Sequence, residues 1–227
     1  MMRIKRLSLV SGAEEAEGLT VIIDVFRAFT TAAYVAANGA VKIHPVESVD
    51  EAFKLKRENS DWVLMGERGG QRIPGFDFGN SPYEVKDRDF TGKTIIQTTS
   101  AGTQGIYRAV DATEILAGSF VMVDAITNYI IKREPDVVSL VAMGWGGKVR
   151  SIEDESLAEY VETKLRGGEP DFSEMKRRIR LDPEGAKFFD ASQPNFIEED
   201  FYCAMDLNRF KFCLRLNKSD LPFFEKI

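Results

Sequence analysis

The chain has 227 residues, 44% hydrophobic and 29% charged, with a formal net charge of -6, which suits a globular protein of one α/β domain. The acidic balance counts against a nucleic-acid partner, which calls for a basic excess, and no apolar run approaches the roughly 18–20 residues that span a bilayer. One histidine, His44, and two cysteines at no metal spacing, Cys203 and Cys213, exclude a His-rich zinc centre and weigh against a Ser-His-Asp hydrolase.

The N-terminal stretch MMRIKRLSLVSGAEEAEG carries one apolar piece, Leu7–Val10, too short for a signal-peptide core and followed at once by acids. The expectation is a cytoplasmic protein without a disulfide. Val21–Ile23 reads as a buried strand and Ala28–Ala37 as a helix closed by Asn38-Gly39. Val41–Val46 is a second strand. Ser48 and Glu51 form a capping box that opens a helix to about Glu58. Trp62–Met65 is a third strand, and the long loop GERGGQRIPGFDFGNSP follows, from Gly66 to Pro82. Thr94–Gln97 and Glu114–Ala117 read as strands, Gly102–Ala109 and Val121–Lys132 as helices. Val137–Ala142 is a strand that runs into the glycine loop Gly144–Gly147, and a helix spans about Ile152 to Leu165. Beyond Gly167-Gly168, Glu169–Asp190 is charged and helical, with Asp182-Pro183 as N-cap and first helical residue. Glu198–Leu207 reads as a helix and Phe210–Leu216 as a strand.

Alternation of strands and helices implies a mostly parallel or mixed sheet with helices on both faces, a three-layer α/β/α fold. The chain reads as a single domain over 1–227, with 167–227 as a candidate small C-terminal subdomain. Ligands in such folds sit beyond the carboxyl ends of the strands, so the residues after each apolar run are the candidates. Asp24, Arg27, Thr30 and Thr31 follow the first strand. Glu67 and Arg68 follow the third, and the long loop adds Asp77, Asn80 and Ser81. Thr98, Thr99, Ser100, Gly102 and Thr103 follow the next, and Glu153 and Asp154 open the helix after Val137–Ala142.

These residues fall into two chemical groups. Asp24, Glu67, Glu153 and Asp154 are hard oxygen ligands without His or Cys, the donor set that suits Mg²⁺. The run TTSAGT, Thr98–Thr103, puts hydroxyls and a glycine at a helix start, where free N–H groups can hold phosphate. Arg27 and Arg68 can fork onto phosphate, sulfonate or carboxylate oxygens. The combination describes a divalent metal with a poly-anionic substrate and fits hydrolysis of a phosphate ester. Local readings stand beside it. Glu153 and Asp154 also fit as first-turn acids behind Ser151, Ser81 and Glu84 as a capping box, Asp24 and Arg27 as a buried ion pair, and His44 as a structural histidine.

Five motifs in order, IDVFRAFTT, GER (Gly66–Arg68), GFDFGNSP (Gly75–Pro82), TTSAGT and SIEDESLA (Ser151–Ala158), resemble the ComB family of 2-phosphosulfolactate phosphatases, from about Leu19 to Tyr160, with a weaker continuation in FYCAMDLNRFKF (Phe201–Phe212). The resemblance implies Mg²⁺-dependent hydrolysis of 2-phospho-3-sulfolactate, a step of coenzyme M biosynthesis. It places Asp24, Arg27, Glu67, Arg68, Asn80, Thr98, Thr99, Gly102, Thr103, Glu153 and Asp154 at matching motif positions. One departure is Ala101, where the family usually carries Asn.

The expected roles are therefore catalytic for Asp24, Arg27 and Glu67, and metal-binding for Asp24, Glu67, Glu153 and Asp154. Substrate binding falls to Arg27, Thr30, Thr31, Arg68, Asn80, Ser81, Thr98, Thr99, Gly102 and Thr103. Asp24 is open to two roles, nucleophile or metal ligand. The second acid of an Asp-x-Asp phosphatase motif is replaced by Phe26, which favours an activated water. The expected partner is a small phosphorylated anion, with no nucleic acid and no membrane, and a homodimer is compatible with the sequence. The alternative class is a non-catalytic anion-binding or regulatory protein on the same fold.

Overall fold

The computed structural model describes residues 2–227. Strand β1 (Arg3–Ser8) and the short helix α1 (Leu9–Glu14) open the fold where the sequence gives no strand signal. β1 is an edge strand with no buried residue, so the unbroken apolar run of a central strand is missing. The next elements follow the sequence expectation closely: β2 (Gly18–Ile23), α2 (Ala28–Ala37), β3 (Lys42–Pro45), α3 (Val49–Glu58) and β4 (Val63–Arg68). The long loop contains β5 (Gln71–Arg72) and α4 (Pro82–Val85). Then come β6 (Thr94–Thr98), α5 (Gly102–Arg108), β7 (Ala112–Gly118), α6 (Val123–Arg133), β8 (Val137–Ala142) and α7 (Ile152–Leu165).

The charged segment breaks into α8 (Phe172–Leu181) and α9 (Pro183–Ala186). The break lies at Asp182, extended at ψ 151 because the residue before proline avoids the helical region, and its side chain caps α9 through Glu184 N–H. The chain ends with α10 (Glu198–Ala204), β9 (Leu214–Asn217) and β10 (Phe223–Lys226). The strand expected over Phe210–Leu216 forms only from Leu214, and β10 carries no long apolar run to announce it.

The sheet runs β1-β8-β2-β7-β9-β10-β3-β6-β4-β5. Two blocks are internally parallel, β1-β8-β2-β7 and β3-β6-β4. The hairpin β9–β10 joins them by antiparallel pairing on both sides, through single residue pairs, Leu116 with Arg215 and Phe224 with Ile43. Residues 167–227 thus supply the two central strands of the sheet. Helices cover both faces, giving the three-layer α/β/α arrangement. The core is continuous across β2, β7, β8, α2 and α7, with Phe29, Phe120, Phe201 and Phe224 among its largest fully buried side chains. A smaller cluster under α3 contains Val46, Leu64, Phe76 and Ile96.

The chain passes between the blocks through α2, which follows β2, and returns through α5, which precedes β7. α5 packs against β2, since Gly105 leaves no room for a side chain between Ile22 and Met143. The first turns of α2 and α5 therefore meet at one point, and Asp24 occupies it.

Candidate active site

Asp24 ends the buried strand β2. Its Oδ1 accepts the N–H of Ala28, the first residue of α2, at 3.1 Å, and its Oδ2 accepts the N–H of Gly102, the first residue of α5, at 2.8 Å. One carboxylate thus caps both crossover helices, at the positive ends of their dipoles. Burial, then the hydrogen bonds opposing it and repulsion from Glu67, set the balance that raises the Asp24 carboxyl from 3.8 to about 6.

Glu67 comes from the β4–β5 hairpin, whose two-residue turn Gly69-Gly70 has positive φ at both positions, as glycines allow. Its Oε1 accepts Ser100 N–H at 2.6 Å, and its Oε2 accepts Gly70 N–H at 2.8 Å and Ser100 Oγ–H at 3.1 Å. The hydroxyl-rich run after β6 is therefore used differently from the expectation. Its N–H groups at Ser100 and Gly102 hold the two carboxylates. Thr99 and Thr103 bond each other and their own backbone, and Thr98 Oγ1 accepts from Arg68 Nη2.

Behind Asp24 lies Asp154, whose oxygens accept Val25 N–H and Gly144 N–H, each at 2.8 Å. It pins the end of β2 to the glycine loop after β8, a long-range role beyond that of a first-turn acid. Burial, then repulsion from Glu153 and Asp24, holds its carboxyl well above the usual carboxylate range. Glu153 is also buried, its Oε2 has no hydrogen-bond partner among the described residues, and burial pushes its carboxyl up to about 8. Glu67, Asp24, Asp154 and Glu153 form a chain of mutually repelling acids, of which the first two face a cavity of about 100 Å³.

Arg27, Asn80, Ser100, Trp145 and Phe196 complete the principal walls of that cavity. Arg27 is 4% exposed and does not pair with Asp24. It bonds Asp200 Oδ2 at 2.5 Å, Asn195 O at 3.0 Å and Gly70 O at 3.1 Å. Asn80 Oδ1 is buried and has no partner among the described residues. Trp145 and Phe196 stand with ring centroids 6.0 Å apart, and Lys187 Nζ lies 4.1 Å from the Trp145 ring centre.

Of the residues expected from sequence, Asp24, Arg27, Glu67 and Asn80 meet at the cavity. Arg68 and Thr99 line an adjoining open groove with Arg108 and Lys148, which shares Ser100, Trp145 and Gly146 with the cavity. Thr30, Thr31, Ser81, Thr98, Gly102 and Thr103 line neither. Thr30 donates to Val25 O, Thr31 to Arg27 O and Ser81 to Asp200 Oδ1, because each hydroxyl finds a buried acceptor on its own side of the fold. Glu153 and Asp154 stand behind Asp24 rather than beside Glu67. Among the described residues, no three His, Cys, Asp or Glu side chains converge as a metal cage. His44 is distant from these groups, with Nδ1 2.9 Å from Pro222 O and its ring stacked on Trp62. Phe196 and Asp200 carry no local signal, since their link to Arg27 spans about three quarters of the chain.

Gly102 bears directly on this geometry. A Cβ at this position would lie 2.8 Å from Asp24 Oδ2 and 3.0 Å from Phe29 Cζ. Gly102→Ala is expected to displace the Asp24 carboxylate, at about 1–3 kcal/mol of stability for the overpacking and about a tenfold or greater loss of activity for the misplaced group. Thermal unfolding and steady-state kinetics of this variant check both.

Over residues 6–185 the sequence matches the family described as 2-phosphosulpholactate phosphatase. It is 41% identical over 179 residues to a probable 2-phosphosulfolactate phosphatase of Carboxydothermus hydrogenoformans, covering 79% of this chain and 70% of that protein. A protein of the same name from Bacillus subtilis is 32% identical over 214 residues, 92% of each chain. One from Thermotoga petrophila is 40% identical over 146 residues, 64% of this chain and 62% of its own.

Proposed function

The chain belongs to the 2-phosphosulpholactate phosphatase family, and from that premise we propose that it hydrolyses the phosphate ester of 2-phospho-3-sulfolactate, or of a closely similar small phospho-acid, with Mg²⁺. The observation that carries the reading is the charge arrangement of the cavity. Asp24 and Glu67 face it together, and the one guanidinium among the described residues of its wall, Arg27, is already balanced by Asp200. A poly-anion would be repelled from such a site without a cation, and a buried carboxylate pair without one is costly.

The residues present fit magnesium. Asp24, Glu67 and the unpartnered Asn80 Oδ1 offer two carboxylates and an amide oxygen, and Mg²⁺ takes one or two carboxylates, keeping water and phosphate oxygens for its other positions. When bound, the ion neutralises the pair and withdraws charge from a phosphoryl oxygen. Arg27 keeps two of its five N–H donors after the three bonds to Asp200, Asn195 and Gly70, enough to grip the remaining phosphate oxygens. Trp145 and Phe196 give the wall an apolar side that would limit water around the reacting group. Arg68, Arg108 and Lys148 in the adjoining groove would receive the sulfonate and carboxylate.

In this reading a water oxygen bonds to phosphorus, the ester P–O bond breaks, and one proton of that water ends on the departing oxygen while the other stays with phosphate, leaving 3-sulfolactate and phosphate. Asp24 acts as ligand and charge pole rather than as nucleophile, because Phe26 stands where the second acid of an Asp-x-Asp pair would serve the leaving oxygen of a covalent mechanism. Beryllium fluoride is therefore expected to leave Asp24 unmodified, and a carboxylate-linked adduct on Asp24 would overturn that assignment.

Phosphate release from phosphosulfolactate, phospholactate and phosphoglycolate tests the function. We expect release with Mg²⁺, a fall to background in EDTA, and recovery when Mg²⁺ is restored, with phosphosulfolactate preferred. Release that is indifferent to EDTA would remove the metal from the reading, and no release from any of the three would remove the phosphatase.

A further inference from the structure

We infer that Asp200 is the positioning residue that fixes Arg27 as the anion clamp of the cavity, so that the site is completed by the C-terminal segment of the chain. What the clamp holds rests on the phosphate-ester reading above. Asp200 is fully buried, and both of its oxygens are used: Oδ2 accepts from Arg27 Nη1 at 2.5 Å, and Oδ1 accepts Ser81 Oγ–H at 2.6 Å and Tyr83 N–H at 3.0 Å. The carboxylate therefore links the Arg27 guanidinium to the corner that carries Asn80. Two groups in the cavity wall from distant parts of the sequence share this one support.

The same segment encloses Arg27 on other sides. Asn195 O accepts from Nη1, and the guanidinium carbon lies 5.1 Å and 5.9 Å from the Phe196 and Phe188 ring centres. A guanidinium held by a short ion pair and packed against two adjoining aromatic rings has little freedom, and its two unused N–H donors are restricted with it. Neutralising Asp200 frees the head group and leaves a buried charge unpaired. Asp200 touches neither the cavity nor its contents, since it does not line the cavity, and acts through Arg27.

The test is a double-mutant cycle on the full chain, using inorganic phosphate with Mg²⁺ as probe and kcat/KM on a phosphate ester alongside it. Asp200→Asn is expected to weaken phosphate binding about tenfold or more and to lower kcat/KM comparably, with thermal unfolding still well above assay temperature. Added to Arg27→Ala, it is expected to change either readout less than about twofold, because the clamp is already gone. Effects that multiply, or a single variant equal to wild type in both readouts, would overturn the inference. Where Asp200→Asn does not fold, Asp200→Glu takes its place, retaining the charge and shifting the carboxylate by a methylene, with the same expected direction. If wild type hydrolyses no phosphate ester yet binds phosphate in an Asp200-dependent way, the phosphatase reading fails and the positioning role stands. If wild type turns over and Asp200→Asn turns over equally, the positioning role fails and the phosphatase reading stands.

Discussion

Asp24→Asn is expected to lower turnover at saturating Mg²⁺ by about a thousandfold or more, the scale of losing a charge aimed at the reacting centre. The side chain sits at the meeting point of two helix N-termini and of the cavity, so neither Glu67 nor Asp154 can replace it: Glu67 is tied to Ser100 and Gly70, Asp154 to Val25 and Gly144. The fold is expected to survive. Asparagine keeps one acceptor for the N–H groups of Ala28 and Gly102 and loses the other, which destabilises, while removal of a charge buried to 6% exposure stabilises. The two effects oppose, and thermal unfolding within a few degrees of wild type is expected. Undiminished turnover in this variant would remove Asp24 from the site.

In metal-free buffer the melting temperature is expected to fall as pH rises between about 5 and about 8. Glu153 binds its proton more tightly in the folded chain, up to about 8 against 4.5 when unfolded, and Asp24 does the same, about 6 against 3.8. For carboxyls raised on folding, the stabilisation is complete below the unfolded value and is lost as pH climbs through the folded one. Each tenfold difference in proton affinity corresponds to about 1.4 kcal/mol, so Glu153 alone accounts for a change on the order of a few kcal/mol over this window. Of the groups shifted the other way, Asp89, Glu174 and Asp190 are exposed and titrate below it, while His44, whose buried imidazole is held below 6.5, adds stability as pH rises and offsets part of the fall without reversing it. Glu153→Gln is expected to flatten the slope and to make the metal-free protein more stable at pH 8 than wild type, by about 2 kcal/mol. Mg²⁺ added at pH 8 is expected to raise the wild-type melting temperature, since binding to the folded state alone stabilises it. A melting temperature that is flat or rising across this range in the wild type would refute the account.

Most elements were legible in the residues because their signals are local. The apolar runs of β2 and β8, the Ser48 and Ser81 caps and the Asp182-Pro183 boundary each act within a few residues, and the structure has them in place. β1 and β10 carry no local signal because an edge strand and a short hairpin strand gain their order from other strands, β8 for one and β3 and β9 for the other.

The site divides along the same line. An acid after β2, another near the end of β4, and arginines and hydroxyls after the strands are all visible in the order of residues. Those are facts of composition at strand ends. Which of these groups share a cavity, and which partner each polar atom takes, follows from how the elements pack. The Thr98–Thr103 run is directed at Asp24 and Glu67 because α2 and α5 cross between the two sheet blocks and bring their first turns together. Arg27 found Asp200 rather than Asp24 because α10 packs against the loop before α4 and places a fully buried carboxylate within 2.5 Å. Hydrogen bonds and ion pairs reach about 3 Å, while these residues lie up to 173 positions apart in the chain, so the choice among equivalent partners belongs to the packing.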